Sequence, residues 1–223
     1  MKPCIRTLVV LAGPALLACS TAARAEPADT VPAAPVNAVW VEVQHNFFYV
    51  GHTSYYSCDG LREKVRYILE QAGARPDLKV IASCVQSGGM GVEPMPSVRI
   101  KAAFPAEAMP EVLAKLAAEA PQRELVARVK GTGAQLAEET AEFPAVWRRV
   151  EFEGRGRSRV EDGDCELLEQ MVEQVLVPAG VRVAAESRLH CVPHQVPVGS
   201  VRLVVDTLQK SRAPDEEADA STR

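Results

Sequence analysis

Residues 57–75 read SCDGLREKVRYILEQAGAR, and residues 164–182 read DCELLEQMVEQVLVPAGVR. In the first stretch Leu61, Val65, Ile68, Leu69 and Ala72 fall at i, i+4, i+7, i+8 and i+11, which is one face of an α-helix. Leu168, Val172, Val175, Leu176 and Ala179 hold the same places in the second. Ser57 and Asp164 stand just ahead of the cysteines, where an N-cap oxygen accepts the first free amides. Gly73 and Gly180 sit where a C-terminal glycine ends a helix, and Pro178 agrees with a stop in the second stretch.

Working outward, the correspondence widens. Trp40, Cys58 and Cys84 are separated by 18 and 26 residues, and so are Trp147, Cys165 and Cys191. A single offset of 107 superposes residues 38–85 on 145–192 with thirteen identities in 48 positions, against about three expected by chance. The chain therefore reads as an internal duplication. After each helix comes an alternating strand: Leu78, Val80, Ala82 and Cys84 share one face, as do Val183, Ala185, Ser187, Leu189 and Cys191. Further strands follow at residues 98–100 and 201–203, reached by loops that differ by four residues. Strands opening at Ala38 and Ala145 precede the helices and are drawn as turning near His45-Asn46 and Gly154. The expected fold class is α+β: a duplicated, disulfide-stapled β(β)αββ module with helices packed on antiparallel sheet.

Around the modules, residues 1–25 read as a signal peptide: Lys2 and Arg6, an apolar run over 8–19, and the small-x-small site Ala23-Arg24-Ala25. Residues 26–37 are an Ala/Pro-rich linker, 38–104 the first module, 105–144 a helical connector with its helix over 109–120, and 145–210 the second module. Residues 211–223 are polar and expected to be disordered. Localisation is then periplasmic. Leu16-Leu17-Ala18-Cys19 also resembles a lipoprotein box, so the alternative is a chain anchored through Cys19. No other apolar run is long enough to form a transmembrane segment in the mature chain. Removing residues 1–25 takes away Lys2, Arg6 and Arg24 and no acid, moving the net charge from −4 to −7. That balance argues against nucleic acid as a partner.

Four cysteines remain after cleavage, an even count suited to disulfides in an exported chain. Cys58–Cys84 and Cys165–Cys191 are the natural pairs if each module folded before it was doubled; the exchanged pairing, Cys58–Cys191 with Cys84–Cys165, is equally symmetric. The metal candidates are His190 and His194 beside Cys191, with Met90 and Met95 as soft copper ligands. Neither cluster recurs in the other module, and solvent-facing loop residues explain both. No nucleophile elbow, zinc-protease motif or Walker loop is present, no acidic pair is marked for catalysis, and no cofactor is indicated.

The segment over 47–56 holds five of the eleven aromatics, while Arg155, Arg157 and Arg159 occupy the matching region of the second module. Phe47, Tyr49, Tyr55 and Tyr56 are the candidate partner surface, to the extent that they face solvent rather than a core. The run Tyr55-Tyr56-Ser57-Cys58-Asp59-Gly60-Leu61-Arg62-Glu63-Lys64-Val65, with Gly163-Asp164-Cys165-Glu166-Leu167, resembles a family of uncharacterised exported proteins of Gram-negative bacteria over residues 38–207. That resemblance implies an address and a domain extent but no activity. The expectation is a non-enzymatic envelope binding or adaptor protein for an unknown protein or ligand. Its alternatives are a copper-binding protein and an enzyme with a site between the modules.

Overall fold

The computed structural model describes residues 34–84, 95–133, 140–154, 159–195 and 201–211. Its elements run β1 (Val36–Phe48), α1 (Cys58–Gln71), β2 (Lys79–Ser83), β3 (Ser97–Glu107), α2 (Pro110–Lys130), β4 (Phe143–Glu153), α3 (Cys165–Met171), β5 (Arg182–Val183) and β6 (Arg202–Lys210). A 3-10 turn at Asp162–Asp164 leads into α3, and a π-helical turn at Val172–Leu176 continues it. The class is α+β, with one six-stranded antiparallel sheet in the order β2-β3-β1-β4-β6-β5.

That order is palindromic about the β1–β4 pair. The two strands meet over only three residues, Val36 to Ala38 against Ala145 to Phe143, and the middle pair is Asn37 with Pro144. These two residues are themselves 107 apart, so the local twofold passes between them. The flanking registers match as well: Ala38 faces Glu107 on one side, and Ala145 faces Lys210 on the other. A strand that must bury one face tolerates no one-residue slip, so hydrophobic alternation holds both registers.

α1 and α3, the latter with its π-helical continuation, lie on one face of the sheet, called here the inner face, over a single core. It joins Leu61, Val65, Ile68 and Leu69 of α1 to Leu168, Met171, Val175 and Leu176 of the second helix. Ile100 and Phe104 of β3, Phe152 of β4, and Leu203 and Val205 of β6 complete it. Each fully buried aliphatic or aromatic side chain contributes about 1.5–3 kcal/mol. Ser57 caps α1 by accepting from the Gly60 amide at 3.1 Å. Both helices end in the same paired closure: Ala74 N–H to Leu69 and Gly73 N–H to Glu70, then Val181 N–H to Leu176 and Gly180 N–H to Val177. The turn needs a left-handed residue, and Gly73 and Gly180 supply φ of 89° and 90°.

The halves are also interlocked. Thr207 Oγ1 donates to the carbonyl of Ala72, and Gln209 Nε2 donates to that of Gln71 at 3.2 Å, so β6 of the second half closes α1 of the first. The disulfides join Cys58 to Cys84 and Cys165 to Cys191, with Cα atoms 6.1 and 5.6 Å apart. Each ties a helix start to the chain 26 residues on, and these are the expected local pairs.

Four expectations need correction. β1 runs straight through His45-Asn46, because its ladder with β3 is unbroken from Ala38 to Phe48; each half is βαββ. Asp164 does not cap α3 with its side chain: it closes a capping box with Glu161 around the preceding 3-10 turn. The strand expected through Val183 and Cys191 is only two residues long, with one further bridge at Arg188. Between them Ser187 Oγ accepts from the Val204 amide at 3.0 Å and donates to its carbonyl at 2.9 Å, replacing the ladder with a side chain. Finally, α2 continues past residue 120 to Lys130. Pro121 lies inside it, and near the point where the ring crowds the preceding turn, Arg123 Nη2 donates to the Leu116 carbonyl at 2.8 Å.

Candidate functional site

The aromatic segment over 47–56 is divided by the pleat and by the loop that follows. Phe47 and Tyr49 point inward and are buried in the core, which removes them from any contact surface. Alternation along β1 dictates this, since both share the face of Val43. Tyr56 is half-buried against the same core, its ring 5.2 Å from that of Tyr49. Tyr55 is exposed, as is Phe48, which the pleat turns to the outer face.

What holds this loop comes from the other half of the chain. Glu166, buried on α3, accepts from the amides of His52 at 2.8 Å and Thr53 at 3.0 Å, and from the Thr53 hydroxyl at 3.1 Å. Gln170, one turn on, accepts from the Val50 amide and donates to the Val50 carbonyl. Buried Asp164 accepts from the Tyr56 hydroxyl, from Lys64 and from the Glu161 amide. Tyr49 donates to the Ser54 carbonyl at 2.8 Å. Burial, followed by the negative field of Glu166, pushes the Tyr49 hydroxyl far above its ordinary pKa. Burial and then the Asp164 carboxylate do the same for Tyr56. Both hydroxyls are locked protonated in structural bonds. Sequence reading missed this clamp, because partners more than 100 residues apart leave no local signal.

The metal candidates are described only in part. His190, His194 and Met95 are exposed, and Met90 lies outside the described residues. No group of three or more His, Cys, Asp or Glu among the described residues is placed to hold an ion. His194 instead meets His52, with ring centroids 5.3 Å apart.

The outer face of the sheet, away from the disulfides, repeats another feature. The Arg75 guanidinium stacks 5.8 Å from the Trp40 ring centre, and Arg182 stacks 3.8 Å from that of Trp147. Trp147 also donates to Glu107 at 2.9 Å, and Phe143 packs 4.8 Å from Trp40. The signal was present: Arg75 and Arg182 match at the same offset as the tryptophans. Over this face lies α2, of which only Ala127 is buried. A cleft of about 680 Å³ opens along one flank, walled by Trp40, Leu113, Leu116, Ala117 and Ala120. Along the other flank, a polar cleft of about 710 Å³ is lined by Glu42, Lys79, Lys101, Arg123 and Lys130. No described helix is long and apolar enough to cross a membrane.

Comparison with protein-family models, with curated proteins and with solved structures finds no match to this chain.

Proposed function

We propose that this is an exported, non-enzymatic binding or adaptor protein of the bacterial cell envelope, which works through the outer face of its sheet. The observation that carries this reading is α2, a 21-residue helix seated so lightly that each flank leaves a ligand-sized cleft. Two structural disulfides support an oxidising compartment. The strongly shifted tyrosines are engaged in holding the loop over 49–56, so they do not mark a reaction centre. Exposed Tyr55 retains the role of contact residue for a macromolecular partner. Duplication of one βαββ unit, with membership of the exported Gram-negative family suggested by residues 55–65, belongs to the same reading.

The test is export followed by ligand-dependent stability. The processed chain should begin at Glu26 and be recovered from the periplasmic fraction. A panel of small anions, sugars, amino acids and peptides should include a compound that raises its melting temperature, as any ligand binding only the native state must. Ala117→Trp would fill the apolar flank and Lys130→Glu would alter the polar one, so one of them should abolish the shift. Retention in the cytoplasm with residues 1–25 intact, or no stabilising compound, would count against the proposal. A second reading, metal handling, is favoured by the approach of His52 to His194. Copper or zinc titration of wild type and His52→Ala separates the two.

A further inference from the structure

The polar cleft has a charge surplus in an acidic chain. Among the described residues, five cationic side chains line it against three carboxylates, although the whole chain carries −4. Three cations are matched: Arg75 to Asp77 at 2.7 Å, Lys101 to Glu42 at 3.0 Å, and Arg123 to Glu119 at 4.0 Å. Lys79 and Lys130 have no anionic partner among the described residues, so the surplus of two resides on them. Lys79 is moreover the direct cross-strand partner of Lys101. Like charges placed opposite each other destabilise a sheet, and nothing in the ladder requires a cation at either position. The matching positions of the second half are Glu186 and Val204, so the frame of the fold does not demand them. Among the described residues, the arrangement is found where α2 closes the cleft.

We infer that this cleft binds a dianionic phosphate group, held by Lys79 and Lys130 across the gap between sheet and helix, with Lys101 beside them. Two uncompensated ammonium groups match the roughly −1.5 to −2 charge of a phosphomonoester near pH 7. Lysines serve such a group as point charges, while Arg75 is already paired with Asp77 and Arg123 donates to the Leu116 carbonyl. The cleft volume of about 710 Å³ accommodates a small phosphorylated molecule. The same phosphate chemistry is offered by an anionic lipid headgroup. The inference rests on the binding-protein reading and names its ligand class.

The experiment is calorimetric titration of the processed full chain with inorganic phosphate and glycerol 3-phosphate at constant ionic strength, with glycerol as the uncharged control. Flotation with phosphatidic acid vesicles, against phosphatidylcholine vesicles, forms the second arm. Saturable binding of the soluble phosphates, or of phosphatidic acid vesicles alone, supports the phosphate site and distinguishes its source. The Lys79→Gln/Lys130→Gln double variant should bind at least tenfold more weakly. Lys115→Gln, on an α2 lysine outside the cleft, should leave binding unchanged. Absence of binding in both arms, or unchanged affinity in the double variant, would overturn the inference. If a compound of another class stabilises the protein while phosphate does not, the site is misassigned but the binding-protein reading stands.

Discussion

Replacing Glu166 tests whether the two halves are locked by the clamp on the loop over 49–56. Its carboxylate accepts two backbone amides and one hydroxyl, all from that loop, from a buried position on α3. A hydrogen bond to a charged group contributes about 1.5–3 kcal/mol, and a buried amide left without an acceptor loses a similar amount. Water can reach part of the loop, so Glu166→Ala should cost about 3–5 kcal/mol. Glu166→Gln keeps one oxygen for the amides and offers its NH2 to the Thr53 hydroxyl, so its cost should be about 1–2 kcal/mol. For a chain of this size, the alanine variant should melt about 6–20 °C lower. Urea unfolding gives the free energies, and amide exchange locates them: in the alanine variant His52 and Thr53 should lose more protection than the α1 amides, and in the glutamine variant they should keep most of theirs. A loss below about 1 kcal/mol in the alanine variant, or unchanged exchange at His52 and Thr53, would refute the clamp.

Alkaline pH offers a second measurement. The folded-state pKa values of Tyr49 and Tyr56 are raised, chiefly by burial, so their contribution is complete below about pH 10 and declines as pH rises beyond it. The loss should approach 1.4 kcal/mol per pH unit for each hydroxyl, and urea midpoints from pH 8 to 11 should show a shallower slope in Tyr56→Phe. Replacing Cys58 and Cys84 together by serine should cost about 3.5 kcal/mol by the loop-entropy relation, read as a lower urea midpoint, and non-reducing digestion of the wild type should recover both local pairs. Arg182→Ala in a Trp40→Phe background should red-shift Trp147 fluorescence by uncovering the ring, at a stability cost of about 0.5–1 kcal/mol.

Much of the fold was legible because local chemistry and spacing agree. The helical stripe from Leu61 to Ala72, the Ser57 cap and the left-handed stops at Gly73 and Gly180 are decided within a few residues of themselves. The matched 26-residue intervals made the local disulfides the natural choice, and β-alternation gave the core face of Val80. The same alternation made the aromatic segment ambiguous. Spacing puts Phe47 and Tyr49 on one face of β1, but whether that face meets a core or solvent depends on where α1 and α3 lie.

Other features have no sequence neighbourhood at all. Asp164, Glu166 and Gln170 reach across more than 100 residues to satisfy a loop whose amides would otherwise be left unpaired. Ser187 displaces a strand because its hydroxyl competes with the backbone for Val204, a rivalry visible only once β6 is alongside. The polar cleft arises in the same way: Lys79, Lys101 and Lys130 are unremarked surface lysines along the chain, and pairing of β2 with β3 under α2 gathers them. Local propensity and period determined the elements and their caps, because those forces act over a few residues. Which face met the core, which charges converged and how the halves interlock were decided by tertiary packing, because burial and Coulomb energy depend on distance in space and not on distance along the chain.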